Sequence, residues 1–183
     1  MRVVGGYKKG QRLKVSRKGI RPTKSIVREA IFNIIRDRVQ GAKILDIFAG
    51  SGALGIESLS RGAAHCVFIE KQTKMLSENI ARLLLEDHAK IIRSDYRKGL
   101  MLIKDQRFDL IFLDPPYHEN HLEKTLGLIC SNELLYKDGM IIVEHLPDIT
   151  IGLPEGMVIF KKKRYGDTEV TFIVQGSVSR SEV

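Results

Sequence analysis

Residues 43–55 read KILDIFAGSGALG. Lys43 to Phe48 is a short apolar run broken only by Asp46, which predicts a strand buried on both faces. Gly50, Gly52 and Gly55 follow in the spacing G-x-G-x-x-G, directly after that strand and before a helix predicted over 53–61. Glycines in that place allow a tight turn and close approach of backbone to a ligand. Strand, glycine turn and helix in this order make the first unit of a doubly wound α/β fold, whose ligands sit at the carboxyl ends of the strands. The spacing alone also fits nicotinamide and flavin enzymes, and a turn that binds nothing.

The same rhythm continues along the chain. Strands are predicted over 65–70, 89–93, 108–113 and 139–144, and helices over 73–86, 96–104 and 118–130. Continuously apolar strands alternating with helices imply a mostly parallel sheet covered on both faces. Residues 157–161 and 169–174 read as a closing antiparallel pair around Tyr165-Gly166-Asp167. Ahead of residue 43, a helix over 25–38 puts Ile26, Val27, Ala30, Ile31, Ile34 and Ile35 on one stripe, with Thr23 or Ser25 as its cap. The start, RVVGGYKKGQRLKV, reads as short strands separated by glycine turns.

The chain has 183 residues, 43% hydrophobic and 28% charged, which suits one soluble domain. No apolar run approaches the roughly 20 residues of a membrane-spanning helix, and no signal-peptide pattern follows the basic start. Cys66 and Cys130 lack metal-ligand spacing and read as buried free thiols of a reducing cytoplasm. The histidines show no metal spacing either. The net charge of +8 is uneven: residues 1–38 carry twelve Lys and Arg against Glu29 and Asp37, while the rest carry eighteen basic and twenty acidic side chains. A basic arm on a near-neutral body points to nucleic acid. Lys161 to Arg164 reads as a solvated strand edge.

The strand ends carry the candidate chemistry. Glu70 ends the second strand, where a carboxylate can accept from both hydroxyls of a ribose. Asp95 follows the third strand and can cap a helix or receive an adenine amine. The fourth strand ends in Asp114-Pro115-Pro116-Tyr117. An exocyclic amine on a nucleobase is a poor nucleophile because its lone pair is delocalised into the ring. Acceptors on its hydrogens help to localise that pair on nitrogen. Asp114 supplies one acceptor and the Pro115 carbonyl another. The prolines stiffen the loop, and Tyr117 offers a face on which an extruded base can stack.

DIFAGSG together with LDPPY resembles S-adenosylmethionine-dependent methyltransferases that act on a base amine. RVVGGYKKGQRL, GIRPTKSIVREAIFNII and LDIFAGSGALGIESLSRGA are similar to the bacterial RsmD family, which methylates guanine N2 in small-subunit (16S) ribosomal RNA. That resemblance implies a Rossmann-like class I fold with a basic N-terminal β extension over 1–22 and a methyltransferase domain over 23–183. It implies that Asp46, Ala49, Gly50 and Gly52 surround the methionine part of S-adenosylmethionine, with Phe48 and Ser51 in the same loop. Glu70 holds the ribose and Asp95 approaches the adenine, with Lys71 and Tyr96 completing the cofactor set. Asp114, Pro115, Pro116 and Tyr117 grip the target guanine. Lys8, Lys9, Arg12, Lys14, Arg21, Thr23 and Arg28 are the expected RNA contacts, Arg21 to Thr23 and Arg28 near the entrance of the site. The expectation is a cytoplasmic monomer without a metal, acting on ribosomal RNA within a small-subunit assembly particle. A DNA adenine-N6 methyltransferase uses the same proline loop but needs additional target-recognition sequence. A nicotinamide-dependent oxidoreductase leaves that loop and the basic arm unexplained, and a non-catalytic RNA-binding protein on the same fold leaves its acidic and aromatic residues idle.

Overall fold

The computed structural model describes residues 1–15, 23–116 and 121–176, with residues 23 and 24 as backbone only. Its strands are β1 (Lys43–Ile47), β2 (His65–Glu70), β3 (Ala89–Arg93), β4 (Phe108–Leu113), β5 (Leu135–His145), β6 (Met157–Tyr165) and β7 (Thr168–Gln175). Its α-helices are α1 (Thr23–Ile35), α2 (Ala53–Ser60), α3 (Lys74–Leu83), α4 (Tyr96–Met101) and α5 (His121–Ser131). The strands form one sheet in the order β3-β2-β1-β4-β5-β7-β6. The first five are parallel, and β7 enters antiparallel between β5 and β6. This is the Rossmann-like class I fold expected from the sequence.

Alternation along each strand sorts the core into two layers. Ile44, Phe68, Leu110, Phe112, Ile142 and Phe172 face α1, α2 and α3. Leu45, Ile47, Val67, Ile69, Ile111 and Val143 face α4 and α5. Because both faces are covered, the strands are largely apolar. The chain order reverses between β1 and β4, and in such sheets the crevice at that reversal takes the ligand.

The element boundaries differ from the sequence reading where the backbone turns. The helix read over 25–38 ends as α-helix at Ile35, because Arg36 takes a φ of 34° and the chain tightens into a 3₁₀ turn over Arg36–Val39. β5 starts at Leu135 and β6 runs on to Tyr165, both longer than the apolar pattern alone. Within the described residues of the N-terminal extension the pairing is short. Residues 1–15 hold one isolated bridge, between Arg2 and Arg12. Their backbone bonds across the turn, from Val3 N to Gln11 O and from Leu13 N to Met1 O, and to the end of α2, from Tyr7 N to Ser60 O. Val3 and Leu13 are buried in the layer that holds α1 to α3.

β6 is an edge strand. Val158, Ile159 and Phe160 are exposed on it, and Lys162, Lys163 and Arg164 follow, also exposed. Charge on an edge strand discourages pairing with other sheets. Cys66 is buried, whereas Cys130 is only half-buried. Among the described residues no helix is long and apolar enough to cross a membrane.

Candidate active site

Asp46, the fourth residue of β1, sits at the bottom of the crevice. It is buried, and its Oδ2 accepts from the backbone N–H of Gly55 at 2.9 Å, which ties the glycine loop to the strand. Burial pushes its carboxyl up to about 7, against the Gly55 hydrogen bond, and the nearby charges of Asp114 and Glu70 push the same way as burial. Gly52 opens α2 with a φ of 81°, and a side chain there would run into Leu76 on α3.

Glu70, at the end of β2, closes the other side of that loop. Its Oε2 accepts from Gly50 N at 2.9 Å and its Oε1 from Gln72 N at 2.9 Å. Next to it, Asp95 accepts from Arg97 N at the start of α4 and pairs with Lys71 Nζ at 2.9 Å. Asp95 is therefore the N-cap of α4, one of the two readings its sequence position allows. Its carboxyl lies below the ordinary value; desolvation opposes the shift, and the Lys71 ammonium and the Arg97 N–H drive it.

Two cavities meet at this edge. One, of about 300 Å³, is lined by Phe48, Ile69, Glu70, Lys71, Tyr96 and Pro116, among others. Phe48 stands 5.1 Å from Tyr96, ring centroid to centroid, and His121 meets Tyr96 edge-on at 5.3 Å. The other, of about 320 Å³, lies on the α1 side and includes Arg28, Asp46, Gly50, Ser51, Asp114 and Glu144. Phe48, Glu70 and Asp114 border both. Pro115 and Pro116 border the first cavity only. Tyr117 and Arg21 lie outside the described residues, as does the side chain of Thr23.

The arm is placed differently from what its charge alone implies. Lys8 donates its N–H to Ser60 Oγ, so the Lys8–Lys9 turn sits at the far end of α2. That eight-residue helix starts at the glycine loop, which puts the turn about 12 Å down the sheet from the site. Lys14 pairs with Glu78 at 2.8 Å while remaining exposed. Arg12 is exposed. Arg28 borders the cavity but is 3% exposed, and its guanidinium is engaged by Glu57, Met1 Sδ and the Arg2 carbonyl. These contacts tie α1 to the arm. Desolvation lowers the pKa of Arg28, against the attraction of Glu57.

Several residues of the site were not singled out in the sequence. Glu57 is 1% exposed and accepts from Val4 N and Arg61 Nε. Asn79 is fully buried; its Oδ1 accepts from Lys14 N and its Nδ2 donates to the carbonyls of Lys14 and Ser51. It thus joins the arm to the glycine loop. His121 reads as a helix-surface histidine, yet it borders the aromatic cavity. A polar residue on the apolar side of a helix is the one signal that marks Asn79.

The sequence model of a family described as Conserved hypothetical protein 95 matches residues 1–174. YlbH of Bacillus subtilis, provisionally assigned as an rRNA methyltransferase, is 42% identical over 179 residues, 93% of this chain and 96% of its own. Ribosomal RNA small subunit methyltransferase D of Haemophilus influenzae is 34% identical over 172 residues, 91% and 89% of the two chains. Among solved structures, yhhF from Escherichia coli, provisionally a methyltransferase, superposes with a TM-score of 0.86 at 32% identity over 96% of this chain and 97% of its own. At 15% identity, SMU.776, a provisional methyltransferase complexed with SAH, shares the fold with a TM-score of 0.66 over 85% of this chain and 50% of its own.

Proposed function

The chain belongs to the family described as Conserved hypothetical protein 95, which includes the RsmD proteins, and from that premise we propose that it methylates the exocyclic N2 of a guanine in small-subunit ribosomal RNA. S-adenosylmethionine is the donor in this reading. The observation that carries it is the place of Asp114, which borders both the aromatic cavity and the cavity on the α1 side. One carboxylate can then stand between a bound donor and a bound base.

The residues present fit that donor. Phe48 offers a flat apolar surface for an adenine, backed by the buried Tyr96. Glu70 and Asp95 offer acceptors for ribose hydroxyls and the adenine amine, and Asp46 offers a carboxylate to a cationic amino group. Gly50, Ser51 and Gly52 bring backbone close to the ligand. When bound, the donor supplies a methyl group already activated by a positive sulfur. Asp114 and the Pro115 carbonyl hold the amine hydrogens and orient the nitrogen lone pair. Much of the acceleration is positional. Asp114 stabilises positive charge developing on nitrogen and takes the proton. Tyr117 stacks on the base. The arm over 1–22 belongs to the same domain as the rest of the chain. Its exposed Lys9 and Arg12 bind phosphates, and the protein works as a cytoplasmic monomer on an assembling particle.

The test is mass mapping of 16S RNA in small-subunit particles from cells lacking the protein, before and after incubation with it and S-adenosylmethionine. One new N2-methylguanine is expected. N6-methyladenine, or no transfer at all, overturns the proposal.

A further inference from the structure

We infer that the Glu144 carboxylate reads the Watson–Crick edge of the target base, accepting the N1–H of guanine beside the N2 amine held by Asp114. The inference deepens the guanine-N2 reading and rests on it.

Asp114 cannot by itself select guanine. Adenine also carries an exocyclic amine, and a carboxylate with a proline carbonyl grips either. The discriminating group must lie elsewhere in the same cavity, beside Asp114, at the end of a neighbouring strand. β4 and β5 are paired in parallel with Phe112 opposite Ile142 and Leu113 opposite Val143. Asp114 follows the last paired residue of β4, and Glu144 follows its partner Val143 on β5. Both border the cavity on the α1 side. Glu144 is 7% exposed and lines that cavity.

The other charged groups there lie toward the arm or the glycine loop. Arg28 donates to Met1 Sδ and the Arg2 carbonyl and faces Glu57. Asp46 accepts from Gly55 N and Glu70 from Gly50 N, both on the side of the glycine loop. Glu144 is thus the acidic group on the Asp114 side of the cavity, away from that loop.

The chemistry of the two purines decides what such a carboxylate does. Guanine presents two adjacent donors, N1–H and the N2 amine, to two neighbouring carboxylates. Adenine presents an acceptor at N1, which would place lone pair against lone pair in a buried site. Sites built to hydrogen-bond a particular group reject analogues that lack it far more strongly than apolar pockets reject a missing methylene.

The test uses particles carrying either guanine or 2-aminopurine at the nucleotide found by mass mapping. 2-Aminopurine keeps the N2 amine and turns N1 into an acceptor. In single-turnover methyl transfer with the wild-type protein, 2-aminopurine should react about 10²-fold more slowly than guanine. Glu144→Gln preserves size and can turn an amide N–H toward N1, so the guanine to 2-aminopurine ratio should fall at least about tenfold. Where the variant turns over too slowly, equilibrium binding of the two particles with S-adenosylhomocysteine present reads the same ratio. An unchanged ratio in Glu144→Gln overturns the role of Glu144 and leaves the guanine reading standing. A wild-type protein that modifies no guanine overturns both.

Discussion

The backbone N–H of Gly50 donates to Glu70 Oε2 at 2.9 Å, so the carboxylate expected to hold a ribose already holds the glycine loop. Its other oxygen accepts from Gln72 N. Glu70 therefore shapes the floor of the site before any ligand arrives. Glu70→Ala removes both contacts. S-adenosylhomocysteine affinity should fall by about 1.5–3 kcal/mol, the range for a hydrogen bond to a charged group. Calorimetry on the folded variant measures this, and affinity equal to wild type removes Glu70 from the site.

Asp46 makes the site sensitive to pH. Its carboxyl is raised to about 7, chiefly by burial, well above its ordinary value near 3.8. A raised carboxyl favours the folded state in its protonated form. The contribution is full below the unfolded value, near pH 4, and is lost as pH rises through about 7. Stability of the ligand-free protein should thus decline between pH 4 and 8 more steeply in wild type than in Asp46→Asn, by denaturant titration. A cationic amino group beside Asp46 draws the carboxyl back down. Binding S-adenosylhomocysteine near pH 7 should therefore release protons, seen as a dependence of calorimetric enthalpy on buffer ionisation heat. No such dependence means that the ligand's amine lies elsewhere.

Glu57 is the anchor of the arm. It accepts from Val4 N and faces Arg28 at 3.5 Å, with the two side chains 1% and 3% exposed. Glu57→Ala leaves a buried guanidinium without its counter-charge, which costs about 3–5 kcal/mol. Trypsin should then cut at Arg12 and Lys14 faster than in wild type. A loss below about 1 kcal/mol with unchanged cleavage would show that the arm is held by its apolar contacts, Val3 and Leu13, alone.

Asp114 carries the chemistry in the proposed reaction. Asp114→Ala should reduce single-turnover methyl transfer by about 10²–10⁴-fold, the usual range for an acid–base residue. Thermal stabilisation by S-adenosylhomocysteine should persist, because Phe48, Tyr96 and Glu70 remain. Full activity in the variant excludes the mechanism.

Much of the fold is legible because its signals are local. The runs at 43–47, 65–70 and 108–113 are apolar for a geometric reason, both faces of a parallel strand being covered. The glycine spacing marks the first turn, and the rule that ligands sit at strand ends points to Asp46, Glu70, Asp95 and Asp114. In the arm, Gln11-Arg12-Leu13-Lys14-Val15 alternates as a strand does. Alternation records that one side is buried, not what buries it. Here residues 1–3 pair with 10–13, and helices α2 and α3 hold the pair through Ser60, Glu57 and Asn79.

The sequence by itself determined the doubly wound sheet, the glycine loop and the acidic strand ends, since each depends on residues close together in the chain. Only the tertiary structure decided which charges are spent. Glu57 and Asn79 read as ordinary polar residues until segments 53 and 65 positions away cover them. Arg28 reads as one cation of a basic segment until Glu57 and the Arg2 carbonyl close around it. Glu144 reads as the end of a strand until the pairing of β5 with β4 brings it to the cavity that Asp114 also borders. A buried polar group must find a partner, and for these residues the partner is supplied by chain folding back from far away, which no local pattern records.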